Sequence, residues 1–211
     1  IESILDVEDE DAGPRRIVTD DALEEELADI QTRVNELDDR RSDLQGELRE
    51  VEERIDTMEP FADLGIDLDL LSGYDSLQVA VGEGDADAAR EHLADRDGIR
   101  EFELFTEDRT IAVFAYPTSD ADADVLDEAL VGVDFAAYEI PDASGTPEDH
   151  VDELRHERQQ LESKLHETEN EVEDIKHDAA GFLLAAEEKL SIEVQKAEAP
   201  LQFATTDNAF V

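Results

Sequence analysis

Residues 20–59 read DDALEEELADIQTRVNELDDRRSDLQGELREVEERIDTME, and the spacing of their apolar side chains decides the fold. Leu23, Leu27, Ile30, Val34 and Leu37, then Leu44, Leu48, Val51, Ile55 and Met58, follow steps of four and three, with Arg41 interrupting the row. Residues so spaced share one side of a helix, and a heptad row sustained this long has to be covered by a second helix. Asp20 or Asp21 suits the N-cap, and Glu24 to Glu26 place negative charge at the positive end of the helix dipole. Pro60, which has no backbone donor, is expected to end the helix. At about 1.5 Å per residue it spans on the order of 55–60 Å, too long to stand without a partner.

The partner is found after residue 145. Thr146, Pro147 and Asp149 supply a hydroxyl cap, a proline at the first helical position and an acid three residues past the cap. A second seam follows: Val151, Leu154, Leu161, Leu165, Val172, Ile175, Ala179, Phe182 and Ala186, then Leu190 and Val194, with Arg158 and Thr168 at two of its positions. Gly181 is the one helix breaker before Pro200. Because the intervening segment brings the chain back, the two helices are expected to run antiparallel, with Met58 near Val151 and Leu23 near Phe182. Arg41 and Arg158 are expected to snorkel or fix register rather than do chemistry.

Residues 60–145 alternate strand and helix signals as βαββαβ. Leu77, Val79 and Val81 form a strand, and Gly82-Glu83-Gly84 turns into a helix over 86–94 capped by Asp85. Strands at 99–105 and 110–116 make a hairpin through Glu107-Asp108-Arg109. Ser119 or Asp120 caps a helix over 121–130, and 133–140 supplies a last strand. The expected class is α+β: a long antiparallel coiled-coil hairpin with an inserted ferredoxin-like lobe. Its parts are an irregular lead-in (1–19), a first stalk helix (20–59), the lobe (60–145), a second stalk helix (146–197) and a closing segment (198–211).

Composition narrows function. With 61 acidic and 17 basic residues the net charge is −44, which excludes a nucleic-acid backbone or an anionic membrane surface as main partner. Lysine occurs only at Lys164, Lys176, Lys189 and Lys196 while arginine and aspartate abound, a bias like that of proteins working in concentrated salt, where a Debye length of about 3 Å screens surface carboxylates. Cysteine is absent, so there is no disulfide, thiolate nucleophile or cysteine-based zinc site. No stretch reaches the roughly 18 apolar residues of a membrane span, so the chain reads as soluble. It begins Ile-Glu-Ser and ends Phe210-Val211 after a strand-like run, and is expected to be an excised piece.

Chemistry is hard to place on it. Gly82-Glu83-Gly84 lacks the third glycine of a dinucleotide loop and carries carboxylates beside it, so it reads as a strand-to-helix turn. His92, His150, His156, His166 and His177 include no pair at the four-residue step that puts two imidazoles on one helix face, so metal binding and cofactors are not expected. Asp67 with Asp69, and Glu169 with Glu173, are the pairs such an acidic chain produces without catalysis. No serine sits in a nucleophile elbow, and no enzymatic activity is expected. Two readings that need no catalysis compete with a structural one: a small-molecule-sensing lobe on a coiled coil, and a generic coiled-coil tether with a hinge lobe.

The segment EPFADLGIDLDLLSGYDSLQVAVG at 59–82, Leu-Ser-Ile-Glu-Val at 190–194 and Thr-Thr-Asp-Asn-Ala-Phe-Val at 205–211 resemble subunit I of archaeal A-type (V-type) rotary ATP synthases, the subunit called a in the vacuolar enzyme. The resemblance runs from about residue 20 to the end. It implies a piece of the cytoplasmic half, at the cytoplasmic face of the cell membrane, with the insert as distal lobe and residues 198–211 re-entering a proximal lobe. It implies a stator role, with the E and G subunits of the peripheral stalks and the membrane domain of the same subunit as partners, and no small-molecule substrate. The proton-channel residues of that family have no counterpart here.

If screening by salt holds this surface together, dialysis into low salt abolishes the helical circular dichroism; unchanged ellipticity counts against a halophilic chain.

Overall fold

The computed structural model describes residues 20–121 and 124–203. The lead-in (1–19) and the motif at 205–211 lie outside these. The elements are α1 (Asp20–Leu64), a 3-10 turn (Leu68–Leu70), β1 (Gln78–Gly84), α2 (Ala86–Ala94), β2 (Ile99–Glu107), β3 (Thr110–Pro117), α3 (Val125–Leu130), β4 (Phe135–Ala137) and α4 (Pro147–Phe203). They fall into two compact units, Ile1–Leu48 with Gln160–Val211 and Arg49–Gln159, and the two long helices contribute to both.

In the first unit α1 and α4 pack side by side. Ile30 and Val34 meet Ile175, Ala179, Phe182 and Leu183, with Leu27, Leu37 and Val172 at the margin. Leu44, Leu161 and Ala186 are buried, Leu48 and Leu165 half-buried, and the Leu23 side chain lies outside the described set. Arg40 reaches Glu171 across the pair (3.8 Å), so ascent along α1 is descent along α4. Arg41 instead bends onto Asp38 of its own helix. Thr168, fully buried, satisfies its hydroxyl by donating to the Lys164 carbonyl at 3.0 Å. Two features differ from expectation. Ala180 and Leu183 are buried although they stand off the heptad row, because a helix of 3.6 residues per turn drifts against a strict 3.5 repeat and widens its covered face. Leu190 and Val194, assigned to the seam by spacing, are exposed with Ile192.

In the second unit the chain forms one antiparallel sheet of order β2-β3-β1-β4. Register runs from Gln78↔Ala115 to Glu83↔Thr110 between β1 and β3, and from Phe102↔Ala115 to Glu107↔Thr110 between β2 and β3. Alternation sends Ala80, Ile111, Val113 and Ala115 to one face, under Leu93 of α2 and Leu126, Ala129 and Leu130 of α3. Val81 and Ala112 go to the other, against Met58 and Phe61 of α1, Leu68, Leu71 and Val151 of α4. Arg54 faces Glu157 (3.7 Å) and Glu59 accepts from Arg155 (2.8 Å), again antiparallel. Such half-exposed pairs contribute little stability, about 0–1 kcal/mol each, and chiefly mark register. Val51, Ile55 and Leu154 are buried beneath them and Arg158 is half-buried.

Several boundaries differ from those drawn on the sequence. Pro60 lies inside α1, which continues to Leu64 and closes at Gly65 (φ 63°), whose amide bonds the Ala62 carbonyl. An interior proline costs a helix about 3 kcal/mol. Phe61, fully buried, returns about 1.5–3 kcal/mol of that, and the partly buried Ala62 and Leu64 add to it. The spacing Met58, Phe61, Ala62 was the available signal. At the other end α4 passes through residue 197, and through Pro200, to Phe203, so 198–203 are helix. Asp20 and Asp21 stand in the first turn of α1, not before it. Gly82-Glu83-Gly84 belongs to β1 and not to a turn. The third short helix starts at Val125 rather than 121, and neither Ser119 nor Asp120 caps it: Gln78 of β1 accepts from the Leu126 amide at 2.9 Å. The last strand is only Phe135–Ala137. Asp85 does cap α2, accepting from the amides of Asp87 and Ala88, and the Thr146 hydroxyl bonds Asp149 at the start of α4.

Phe61→Ala leaves a cavity where helix and sheet meet and is expected to cost about 3–5 kcal/mol, read as a lower urea midpoint in concentrated salt; a loss below about 1 kcal/mol means that the ring does not carry this junction.

Candidate interaction surface

The sheet end formed by β1, β4 and the β2–β3 hairpin holds a polar cluster centred on Arg109. Asp108 takes φ 52° in the hairpin, a conformation that Asp tolerates better than most residues, and the following Arg109 turns back over β1. Its Nε donates to Glu83 Oε1 at 2.7 Å, and its Nη2 lies 3.9 Å from Asp134. Its carbonyl accepts from the Gly84 amide at 2.9 Å. The hydrogen bond and charge of Glu83 push the Arg109 pKa up, so it stays cationic. Tyr138 beside it is also pushed up, first by burial and then by Glu83, which keeps the phenol neutral.

The glycines of this segment do steric work. A Cβ on Gly82 would stand 2.4 Å from the Ala136 carbonyl oxygen, and one on Gly84 2.1 Å from that of Asp134. Neither distance is possible, so β4 can lie against β1 only because these positions have no side chain. Their role is close strand approach, not phosphate binding.

The remaining candidates from sequence are dispersed. Asp69 accepts from the Gly145 amide (3.1 Å) and the Leu68 amide donates to the Gly145 carbonyl (3.1 Å), strapping the 3-10 turn to the start of α4. His150 Nε2 lies 2.8 Å from the Ser144 carbonyl and donates to it. Among the described residues no group of three or more His, Asp or Glu could hold a metal ion, and no helix is long and apolar enough to cross a membrane. Among the described residues two open grooves can be named. One of about 400 Å³ runs beside Arg33, Leu37, Arg40 and Glu171; another of about 490 Å³ lies by His92, Arg96, Gly132 and Asp134. Neither joins an apolar wall to the convergent polar groups of a ligand pocket. The exposed apolar side chains, Leu70, Tyr74, Phe105 and Val131 in the second unit, are better candidates for contact with another protein. Sequence reasoning missed Phe105 because alternation alone does not tell a covered stretch of sheet from an open one.

The chain is 58% identical over all 211 residues to the A-type ATP synthase subunit I of Halobacterium salinarum, and spans 29% of that protein's length. Its fold matches the crystal structure of the cytoplasmic N-terminal domain of subunit I, homolog of subunit a, of V-ATPase, with a TM-score of 0.52 at 17% identity, covering 94% of this chain and 67% of that one. Identity that low speaks to fold alone. No family model matches. The resemblance carried by residues 59–82, 190–194 and 205–211 therefore extends along the whole chain, and the relative is a halophile's protein.

Because the fold favours the neutral phenol of Tyr138, the stability this gives is fully present below the ordinary tyrosine pKa of about 10 and is lost as pH rises through the raised value. Alkaline titration of tyrosinate absorbance is expected to show a late step that Tyr138→Phe removes; a Tyr138 step at or below the ordinary value contradicts this assignment.

Proposed function

We propose, from a kinship to subunit I of A-type ATP synthases that runs the length of the chain, that these residues form a non-catalytic stator piece of a rotary, proton-translocating ATP synthase or ATPase. It stands on the cytoplasmic face of the membrane and links the membrane part of its own subunit to the peripheral stalks of E and G subunits. The observation that carries this is the 58% identity over every residue of the chain.

Physical features support the reading. Two long helices paired through apolar seams suit a strut, since interdigitated layers resist shear. Residues 20–64 and 147–203 are the stalk helices, and Leu23 through Met58 with Val151 through Phe182 are their coiled-coil seam. The segment between them is the distal lobe. Its element order and its all-antiparallel strand order β2-β3-β1-β4 support a ferredoxin-like assignment. Residues 1–19 and the last few residues belong to the proximal lobe. The lobe has no substrate and no cofactor in this scheme; it offers a surface.

A pull-down of the 211-residue chain with purified E–G heterodimer at the salt concentration of a halophile's cytoplasm tests the assignment. Retention of the heterodimer is expected, and none being retained sinks the stator role.

A further inference from the structure

Strand β2 is a rim of the sheet, hydrogen-bonded to β3 and to no other described strand. Its side chains alternate: Phe102 and Leu104 pack toward Ile111 and Val113, whereas Glu101, Glu103, Phe105 and Glu107 fall on the opposite face and are exposed. On that opposite face the cluster around Phe61 covers Val81 and Ala112 and takes in part of Phe114. Cover stops there. Phe105 is 47% exposed, its ring set edge-on against Phe114 with centroids 5.5 Å apart and planes at 86°. That contact holds the ring in place, so little side-chain freedom remains to be lost when something closes over it.

We infer that the strip Glu103, Phe105, Glu107 is a docking surface for a partner helix that presents an apolar side chain flanked by Lys or Arg. The inference rests on the stator reading and adds to it the face and the chemistry of the contact. Same-face residues on a strand recur every 6.6–6.8 Å or so, close to the roughly 5.4 Å rise of one helical turn. A helix laid along β2 with a basic residue one turn to either side of its apolar anchor thus sets two cations near two carboxylates.

Charge selects this occupant. Among the described residues none of the ion pairs involves Glu101, Glu103 or Glu107. The two arginines nearest the strip are committed elsewhere, Arg100 within β2 over the Tyr116 ring at 5.8 Å and Arg109 of the hairpin to Glu83. A second copy of the chain would bring glutamates against glutamates at this rim, on a molecule of net charge −44. A basic partner meets the opposite field, and ion pairs in direct contact persist where salt has screened longer-range terms.

Titration calorimetry of E–G heterodimer into the 211-residue chain, in concentrated KCl, tests the surface. Phe105→Ala is expected to weaken binding about tenfold or more, and Glu103→Lys with Glu107→Lys to weaken it several-fold. Glu91→Gln, at an exposed position of α2 over the other face of the sheet, changes nothing. Circular dichroism confirms that each variant is folded. Binding by both β2 variants within about twofold of the unsubstituted chain overturns the surface and leaves the stator reading standing. Failure of the unsubstituted chain to bind removes both. Self-association of the chain alone, abolished by Phe105→Ala, makes the occupant a second copy and overturns the proposal.

Discussion

Met58, Phe61, Leu68, Leu71, Val81, Ala112 and Val151 meet where the last turns of α1 and the first of α4 reach the sheet, and the second unit depends on that meeting. The sheet has four strands, one of them three residues long, and α2 and α3 cover only one face. Without the helix ends the other face would stand in water. The need is sharper in a chain with 37% charged residues and a charge of −44, because self-repulsion opposes compaction and few apolar groups are left to offset it. It also accounts for Pro60: a helix that stopped there would leave Phe61 unable to enter the cluster.

What could be read in advance followed from period and from caps. Steps of three and four residues identified both long helices, and Asp85 and the Thr146-Pro147-Asp149 group marked helix starts because their side chains act on neighbours in sequence. What could not be read depended on partners far along the chain. Gln78 caps a helix beginning 47 residues later, and its own sequence context is that of a strand. Gly82 and Gly84 look like turn residues until β4 is placed beside them. Pro60 obeyed a local rule that tertiary burial overrode. The candidate surface was the least legible feature, since Phe105 and Phe102 occupy strand positions of similar appearance and differ only in what lies above them.

Polar groups in the structure divide by the work they do. Thr168 sits fully buried on the helix pair and silences its hydroxyl on its own helix, so it asks nothing of a partner. Asp69 and His150 tie backbone at the entrance to α4. Arg109 and Glu83 join hairpin and central strand. All are anchoring roles, and in none does an acid face a base across a dry cleft, the arrangement that proton chemistry needs.

The closeness of β4 to β1 at Gly82 and Gly84 also bounds how far such a sequence can drift toward acidity. Glycine codons become aspartate or glutamate codons by one base change, so a genome that favours carboxylates offers that exchange continually. At these two positions the first side-chain carbon would already overlap a carbonyl oxygen, before any charge is considered. Adaptation to brine can therefore recolour the surface of this lobe while two of its cheapest substitutions stay closed.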